Sequence, residues 1–443
     1  MGLQQFFFVM RWWAAVEWID QLIKKGLKSV DEVEIFYVEG RSVSADLKQK
    51  KINLASASED CGLGIRTVHK GRIGSSSTND PLNWSECLDA AIASGHLATS
   101  LPWEVLPGTQ AISHTPLTFD SSMKIEPDSA LALLEQMLAG AEEHKAEVTA
   151  GSAGLSTASV TLANSRGIHY TDNHTGVSLS LEAIHKQSTG YEFDHSSFME
   201  KVDPFHVGER ATFFAHESAE GKEIPTGNYE ILLSPLAYAE LLGGTFIPAL
   251  NGRNVHAGRS KFSQSLGESV ADPMISMYDD PLLVGADGSV SWDAEGMPTH
   301  RIDFIKNGVL NAFAYDLKTA YRYGKTSTAS AVRSGYGGSP GIGHHNFVVD
   351  GKRSTITDER VVYVHSVVGA HTANPMSGEF SVELSNAFWM NDGEFEEPIR
   401  SAMLSGNVFS LHNEVLGLSH ESRSIGPLIL PSVKINKQRI IGK

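Results

Sequence analysis

The sequence predicts an α+β fold, in which an N-terminal antiparallel sheet-and-helix region is followed by a largely β C-terminal domain. Three observations support this prediction. Runs of alternating apolar and polar residues follow one another across short links, as in antiparallel meanders. Helix-like stretches stand between these runs without a regular strand–helix–strand alternation. The 443 residues also include 41 glycines, which favours many turns over long helices.

The N-terminal half is predicted to begin with a helix over Ala14–Leu27, preceded by an irregular apolar extension. Strand-like runs and helices with one apolar face then alternate. The predicted strands are Glu32–Val38, Ser42–Ala57 and Gly62–Ser75, the last with a turn at Gly71, and a further alternating stretch spans Glu147–Ser188. The predicted helices are Leu82–Thr99, with Leu82, Leu88, Ala91 and Leu97 on one face, Asp128–Lys145 and Phe205–Ser218. The Pro-, Thr- and Ser-rich segment Trp103–Ile125 is predicted to be irregular.

The clearest local pattern in the second half is the stretch Arg301–Asp316, where apolar residues stand on both sides of Asn307-Gly308. An Asn-Gly step accepts positive φ at both central positions, so it predicts a two-residue hairpin. A short helix, Leu317–Tyr323, is predicted next, with Gly324 as its left-handed end. The other predicted elements are strands Tyr229–Leu233, Val361–Val364, Glu379–Met390, Glu394–Met403 and Leu428–Ile435, helices Leu236–Leu250 and Asn407–Leu418, a turn at Asn391-Asp392-Gly393, and an edge or bulge at Pro398.

The length suggests two or three domains. The polar stretch 219–225, which ends in Pro225, is predicted to divide an N-terminal α+β region, residues 1–225, from a mainly β C-terminal domain, residues 226–443. The order of helix and strands recurs within the first region. This recurrence allows two similar units, at about residues 14–125 and 126–225.

The composition bounds the function. The formal net charge of −16 disfavours direct binding of nucleic acid, which needs clustered Lys and Arg. The two cysteines, Cys61 and Cys87, are too few for a disulfide framework; they are expected to be small buried side chains in a reducing cytoplasm. The apolar N-terminus is interrupted by Arg11, and no apolar run approaches the roughly 20 residues of a membrane span. A cytoplasmic protein with no membrane partner is therefore predicted.

Short motifs follow one another in a fixed order through the second half of the chain. They are, in order, Asp279-Asp280-Pro281, Asp293-Ala294-Glu295-Gly296-Met297-Pro298-Thr299, Asn307-Gly308-Val309-Leu310, Ser327-Thr328, Ser377-Gly378-Glu379-Phe380-Ser381, Gly393-Glu394, Pro398 and Ser405-Gly406-Asn407. On these motifs the chain resembles the TldD/PmbA family, whose members are also called modulators of DNA gyrase. The resemblance extends over nearly the whole chain from about Ala14.

The resemblance also shows what this chain lacks. TldD-type members are zinc peptidases with His-Glu-x-x-x-His on a helix and a cysteine ligand near the C-terminus; zinc acidifies a bound water and the Glu takes its proton. The matching helix here, Leu236–Leu250, contains no His and one Glu, Glu240. The C-terminal ligand position falls near Ser405–Phe409, and no cysteine follows Cys87. The chain therefore resembles the PmbA side, also called TldE, and no catalytic, metal-binding or cofactor-binding residue is assigned to it.

This resemblance implies a non-catalytic subunit of a TldD/TldE-like zinc metallopeptidase that processes unfolded or extended peptides. The expected partner is a TldD-type peptidase subunit in a heterodimer, and zinc is expected only in that partner. The isolated chain is expected to form a homodimer, because a surface that meets a homologue can often meet a copy of itself. Such a subunit can complete a chamber or offer a sheet edge to a peptide. The sequence does not identify the peptide-binding residues.

Several other patterns are weak functional candidates. His216-Glu217 begins like a zinc motif but lacks the second His, so a solvated helix end is predicted. Gly337–Gly341 matches Gly-x-Ser-x-Gly, but Pro340 lacks the N–H that an oxyanion hole needs, so a loop is predicted. Asp293 and Glu295 suit a cation or a peptide amine, although a charged turn is the favoured interpretation. Asp279-Asp280-Pro281 is also predicted to be a turn.

Two alternative functions remain open at this point. The first is an independent metal-dependent hydrolase that uses His344, His345, His365 or His371. It is disfavoured because adjacent histidines on a strand point to opposite faces. The second is a non-enzymatic regulator linked to DNA gyrase or to a toxin system, as the older family name suggests.

Overall fold

A computed structural model describes residues 18–443. It contains two main β-sheets and nine α-helical segments within those residues, and the predicted α+β class is confirmed. The first helix, α1, covers residues 18–26. Residues 14–17 of the predicted helix, and the apolar extension predicted before it, lie outside the described residues.

The first sheet has six strands in the order β3-β2-β1-β4-β5-β6, and all neighbours are antiparallel. It consists of two three-stranded meanders joined through β1 and β4. The strands are β1 (Glu32–Lys48), β2 (Lys51–His69), β3 (Arg72–Thr78), β4 (Glu147–Asn164), β5 (His169–His185) and β6 (Ser188–Ser196). Three more helices accompany this sheet: α2 (Trp84–Leu97), α3 (Pro127–Gly140) and α4 (Pro204–Glu217).

The prediction of separate strands at Glu32–Val38 and Ser42–Ala57 is wrong. Residues 32–48 form one continuous strand, and the chain reverses at Gln49 and Lys50, whose φ angles are 52° and 58°. These residues do not belong to the usual turn-forming set of Gly, Pro, Asn and Asp. Alternation continues on both sides of the turn, so the pattern alone could not locate it. The turn predicted at Gly71, by contrast, is confirmed.

The helices cover one face of this sheet. Val33, Val43 and Leu47 of β1 point to that face, because side chains alternate along a strand. In α2 the buried residues include Leu88 and Ala91, but Leu82 and Leu97, predicted on the same face, are 88% and 91% exposed. Leu82 precedes the helix, in a 3₁₀ turn, and helical spacing places Leu97, the last residue of α2, on the side opposite Leu88.

The second sheet has eleven strands and is mixed. Its strands are β7 (Gly227–Leu233), β8 (Ile275–Asp279), β9 (Ile302–Lys306), β10 (Val309–Leu310), β13 (Phe347–Gly351), β14 (Val361–Val368), β15 (Glu379–Asn391), β16 (Glu394–Ile399), β17 (Met403–Asn407), β18 (Val415–Ile425) and β19 (Leu428–Ile441). A small pair lies apart: β11 (Ala331–Val332) and β12 (Gly341–Ile342). The helices are α5 (Pro235–Leu241), α6 (Ile247–Ala249), α7 (Gly252–His256), α8 (Leu317–Tyr323) and α9 (Val408–Leu411).

Some predicted elements of the second half differ from the structure. Two strand pairs, β7–β14 and β13–β19, are parallel, which the sequence did not predict. The predicted strand Glu394–Met403 is divided at residues 400–402 into β16 and β17, which pair with different parts of β15. The predicted helix Asn407–Leu418 ends after one turn, and residues 415–425 form β18. In both places strand pairing overrides the local pattern.

The edge position predicted for Pro398 is confirmed. Its strand, β16, pairs with β15 alone, and a register shift lies between Phe388 and Met390. Proline needs such a place because it has no N–H for a second neighbour. The turn at Asn391-Asp392-Gly393 is also confirmed, with positive φ at Asp392 and Gly393.

The hairpin at Asn307-Gly308 is confirmed. Both residues have positive φ, 49° and 79°, between β9 and β10. Helix α8 then has the predicted bounds, and Gly324 ends it in the left-handed region at φ 61°. The two glycines differ in their surroundings. A Cβ added to Gly308 would lie 2.3 Å from the carbonyl oxygen of Ala271, whereas one added to Gly324 would contact nothing within 4 Å.

We expect Gly308→Ala to destabilise the protein more than Gly324→Ala. Both substitutions place a side chain at positive φ, which costs roughly 1–2 kcal/mol. At Gly308 the clash with backbone should add about 1–3 kcal/mol, as in other overpacked sites. Denaturant unfolding of the two variants measures the difference. Equal losses of unfolding free energy would show that the neighbouring Ala271–Asp272 backbone moves freely.

Within residues 18–443, no helix combines the length and the apolar character that crossing a membrane requires. Both cysteines are free thiols; Cys87 is buried as expected, but Cys61 is only half-buried.

Candidate functional site

The two segments that the family resemblance equates with the zinc ligands lie next to each other. The first begins at α5, passes through a π-helical turn, Leu242–Phe246, and ends with α6. The second is Ser405–Phe409, which runs from the end of β17 into α9, and His412 directly follows that helix. Phe246 connects them, since its ring centroid lies 5.8 Å from that of Phe409 and 4.3 Å from that of His412. Phe262 packs against both Phe246 and Phe409.

A buried hydrogen bond also joins the two segments. The hydroxyl oxygen of Tyr238 on α5 lies 2.8 Å from Nε2 of His412, and Nδ1 of His412 lies 2.8 Å from the carbonyl oxygen of Val408. Tyr238 and His412 are 2% and 1% exposed. Burial lowers the pKa of His412 to about 4, so its ring is neutral at pH 7. Both of its ring nitrogens are already used in hydrogen bonds.

The residues at this junction do not fit a zinc ion. A catalytic zinc site needs three protein ligands, drawn from His, Cys and carboxylates, with an open fourth position. The one carboxylate of α5, Glu240, accepts a hydrogen bond of 2.8 Å from the backbone N–H of Val367. His412 is engaged as described, and aromatic rings fill the rest of the junction. In the part of the chain from residue 18 onward, no three His, Cys, Asp or Glu side chains form a metal-ligating group.

The four histidines considered as an alternative metal site have separate surroundings. His344 and His345 lie in a bend before β13, not on a strand as expected. The Nε2 atom of His345 is 3.0 Å from the carbonyl oxygen of Ala329. His365, on β14, stacks on Phe214 with ring centroids 3.7 Å apart. His371 is exposed in a short 3₁₀ turn.

Asp293 and Glu295 do lie in a turn, but the turn is buried, and both residues are 0% exposed. Oδ1 of Asp293 accepts hydrogen bonds from the backbone N–H groups of Glu295 and Met297. Glu295 forms a 2.8 Å ion pair with Arg66 of β2 and accepts a 2.7 Å bond from the N–H of Leu317, at the start of α8. The predicted charged turn is therefore present, but both of its carboxylates are buried and held by hydrogen bonds, which the sequence did not indicate.

The ion pair between Glu295 and Arg66 belongs to a larger buried cluster. Arg66 also binds both carboxylate oxygens of Glu34 on β1, at 3.0 and 2.6 Å. Arg333, which follows β11, donates to the same Glu34. We call these four residues, Glu34, Arg66, Glu295 and Arg333, the ion cluster. It lies on the face of the first sheet that points away from the helices, and it connects that sheet to the second half of the chain.

Burial governs the protonation of the groups in and beside the ion cluster. Burial, with the repulsion of Glu295, raises the pKa of Asp293 to about 7. Burial also raises the pKa of Glu295, against the attraction of Arg66. For Arg66 burial disfavours the charge, but the attraction of Glu34 and Glu295 outweighs it and raises the pKa. The positive charges of the two arginines therefore balance the negative charges of the two glutamates in a buried region.

A cleft of about 640 Å³ separates β6 from β18 and from the loop 283–287. Arg423 of β18 reaches across and donates to the carboxylate of Glu192 and to the carbonyl oxygen of Phe193. Nδ1 of His195 lies 2.6 Å from Oδ2 of Asp287, and this carboxylate raises the pKa of His195. Because β6 is the last strand of its sheet, the cleft presents a strand edge together with charges of both signs.

The remaining sequence patterns take ordinary structural positions. His216 and Glu217 are at the end of α4, and their side chains are 38% and 45% exposed, as predicted for a solvated helix end. Residues 337–340 are a loop, as predicted. Asp279 differs from its predicted turn: it ends β8, is 0% exposed, and accepts bonds from the N–H groups of His345 and Asn346.

Sequence reasoning missed Arg66, Glu34 and His412. The first two have the pattern of ordinary strand residues, because the contacts that bury them, with Glu295 and Arg333, come from distant parts of the chain and leave no local signal. The only available signal was a charged residue at a position where the strand pattern calls for burial.

Comparison with family models and with known proteins identifies the family of this chain. Models described as PmbA/TldA metallopeptidase domain 1, central domain and C-terminal domain match residues 33–95, 121–219 and 226–442. An uncharacterized protein of Methanocaldococcus jannaschii is 31% identical over 422 residues, which cover 94% of this chain and 98% of that one. The fold and these matches define a metallopeptidase-like protein. The chain belongs to the PmbA/TldD family.

Two other matches are consistent with this assignment. The crystal structure of TldE from Thermococcus kodakarensis superposes with a TM-score of 0.88 at 26% identity, and covers 96% of this chain and 100% of that one. Metalloprotease PmbA of Escherichia coli O157:H7 is 21% identical over 429 residues, which cover 92% of this chain and 93% of that protein.

Proposed function

We propose that this chain is a non-catalytic PmbA/TldE-type subunit that pairs with a TldD-type zinc peptidase. One observation carries the proposal: the junction of α5 and α9 is filled by Tyr238, Phe246, Phe409 and His412 in place of a set of zinc ligands. Zinc would supply an acidified water and a Lewis acid, and these residues offer no thiolate and no free imidazole to hold it.

The aromatic junction replaces the ligands with a stable core. Aromatic pairs at these separations contribute about 0.5–1.5 kcal/mol beyond the area they bury. The hydrogen bonds of His412 satisfy the polar atoms that burial would otherwise leave unpaired. Support of a catalytic partner is consistent with a scaffold whose junction is filled by aromatic side chains at this position.

The cleft between β6 and β18 supports a role in handling extended peptides. A strand edge binds a peptide backbone through main-chain hydrogen bonds without reading its sequence closely. Asp194 and Lys201 line the cleft with charges of both signs, which suit polar segments of unfolded chains. We propose that a peptide bound in this cleft is presented to the zinc site of the partner.

Co-expression with the TldD-type protein from the same source tests the proposed function. We expect the two chains to co-purify in equal amounts, with about one zinc per pair, and to cleave unfolded peptides together. Each chain is also purified alone and assayed at the same concentration. The pair should bind zinc through the His-Glu-x-x-x-His motif of the partner.

Two matched variants assign the chemistry to one subunit. Replacement of the glutamate in the partner's His-Glu-x-x-x-His motif should abolish cleavage, whereas Glu240→Gln in this chain should leave it within about twofold, since Glu240 only accepts a backbone hydrogen bond. Peptide cleavage by this chain alone, or full activity of the TldD-type protein without it, would refute the proposal.

A further inference from the structure

Two stretches of the second half contain no acidic residue and carry a group of exposed basic side chains. No Asp or Glu occurs in residues 241–267 or in residues 317–349, although the chain as a whole has 52 acidic residues and 36 Lys and Arg residues. The basic residues of these stretches lie on α7, on the turn after it, on α8 and just beyond its end. We call the six exposed ones the basic surface: Arg253, Arg259, Lys261, Lys318, Arg322 and Lys325.

Helices α7 and α8 are held side by side, so these side chains form one surface. The ring of His256, at the end of α7, stacks on that of Tyr323, at the end of α8, with centroids 4.1 Å apart. Nε2 of His256 also lies 3.1 Å from the hydroxyl oxygen of Tyr315. Gly252 fits closely against Tyr315, because an added Cβ would lie 2.4 Å from its ring. Burial and the nearby charge of Lys325 lower the pKa of His256, so Lys325 lies beside the stacked rings.

The basic surface has no acidic partner within the described chain. None of its six side chains forms an ion pair or a hydrogen bond with any of residues 18–443, and Arg322 only approaches the ring of its neighbour Tyr323, at 5.7 Å. Exposed cations elsewhere in the second half differ. Lys222, Arg301 and Arg360 each lie within 3.0 Å of a carboxylate. The charges of the basic surface are therefore free to bind an anion from outside the chain.

The placement of two of these charges is unfavourable for α8 itself. Lys318 and Arg322 are four residues apart on the helix, where like charges repel. Lys318 also lies in the first turn, and a positive charge there opposes the helix dipole. Helix stability therefore gives no reason for this arrangement, whereas an acidic ligand would relieve both effects.

The basic surface borders the aromatic junction of α5 and α9. Lys261 directly precedes Phe262, which packs in that junction. The hydroxyl of Ser260 donates to the carbonyl oxygen of Ala249, the last residue of α6. The turn that carries two of the six cations is therefore anchored to the segment that corresponds to the zinc motif of TldD-type members.

We propose that the basic surface binds acidic segments of unfolded polypeptides, runs of Asp and Glu; this names a substrate class and rests on the proposed function. Complementary charge of this kind speeds encounter and selects among partners. The size suits a peptide segment. Helix α8 has seven residues and is about 10 Å long, which matches roughly three residues of an extended peptide. A long nucleic acid fits less well, because it would continue past this surface over a chain with a net charge of −16.

Fluorescence anisotropy with the isolated full chain tests this binding. The probes are a labelled decapeptide of alternating Glu and Gly, the same peptide with Gln in place of Glu, and a single-stranded oligothymidylate of ten nucleotides. The Glu peptide should bind with a Kd at least about tenfold below that of the Gln peptide. Added salt should weaken this binding, since the contacts are between exposed charges.

Matched charge reversals locate the binding on α8. The variant Lys318→Glu/Arg322→Glu should raise the Kd of the Glu peptide about tenfold or more. The variant Lys48→Glu/Lys51→Glu makes the same change in net charge at exposed, facing positions of the β1–β2 hairpin and should leave the Kd within about twofold. Arg322→Lys keeps the charge and should bind like the wild type. All three variants should melt at about the wild-type temperature, because the altered side chains are exposed.

Three results would overturn the inference: equal affinity for the Glu and Gln peptides, equal losses in the α8 variant and the hairpin control, or tighter binding of the oligonucleotide than of the Glu peptide. The last result would assign the surface to nucleic acid. Because the isolated chain is measured, a failure here would leave co-purification and cleavage by the pair unaffected. A failure of the two chains to co-purify would refute the proposed function and leave the peptide affinities unchanged.

Discussion

Replacement of Arg66 with Met is expected to lower the free energy of unfolding by about 3–5 kcal/mol, the usual loss when one partner of a buried ion pair is removed. Arg66 is 5% exposed and binds Glu34 and Glu295, which are 1% and 0% exposed. Without the guanidinium, Glu295 loses its only ion-pair partner among the described residues, and Glu34 keeps Arg333 alone.

A second substitution in the Arg66→Met variant tests whether the unpaired carboxylate of Glu295 causes the loss of stability. Glu295→Gln removes the uncompensated charge, so the double variant Arg66→Met/Glu295→Gln should recover part of the loss. Lys222→Met is the surface control, because the pair of Lys222 with Glu397 is exposed, at 68% and 51% of their side chains, and should contribute about 0–1 kcal/mol. Urea unfolding measures all three. A loss in Arg66→Met no larger than in the control would show that water reaches the ion cluster.

The protein is expected to lose stability as the pH falls from about 6.5 to 4, in part through two buried histidines. Burial lowers the pKa of His365 and of His412 to about 4, whereas the unfolded chain takes up these protons near pH 6.5. Both contributions are fully present above pH 6.5 and decline as the pH falls through this window. For each histidine the loss is on the order of 3 kcal/mol at pH 4.

His365→Phe isolates one of these contributions. Phenylalanine keeps an aromatic ring against Phe214 and cannot take up a proton. The variant should therefore take up about one proton fewer on unfolding than the wild type, and the slope of its unfolding free energy against pH should be correspondingly smaller. His114→Phe makes the same change at an exposed histidine and serves as the matched control for burial. Parallel curves for wild type and His365→Phe between pH 4 and 7 would contradict the assigned burial effect. The comparison of slopes also removes the opposite contribution of Asp293, whose raised pKa favours the folded state at lower pH.

Local chemistry allowed some elements to be predicted closely. Asn307-Gly308 and Gly324 were predictable because positive φ is rare outside a few residue types. The bounds of α8 follow from the same cause. The turn at Gln49 and Lys50 has the same geometry without those residue types, and so it was missed. The bounds of β18 depend on its pairing with β19 and do not follow from the pattern of residues 407–418 alone.

At the candidate site, only the absence of the zinc ligands could be predicted from the sequence. The absence of His-Glu-x-x-x-His and of a late cysteine can be seen in the sequence. The Tyr238–His412 hydrogen bond joins residues 174 positions apart, and Arg66 and Glu295 are 229 positions apart. Such pairs become visible only when the chain is folded. The same holds for the cleft, whose walls come from three separate segments.

The position of β19 has a consequence for the order of events during synthesis. This strand pairs with β7, β13, β17 and β18, yet it follows all of them along the chain. Its partner β7 begins at Gly227, so the nascent polypeptide from that residue onward remains on the ribosome with unsatisfied strands until residues 428–441 emerge. The second sheet must therefore close after translation of this segment, and chaperones that shield open strands should raise the yield of folded protein in cells.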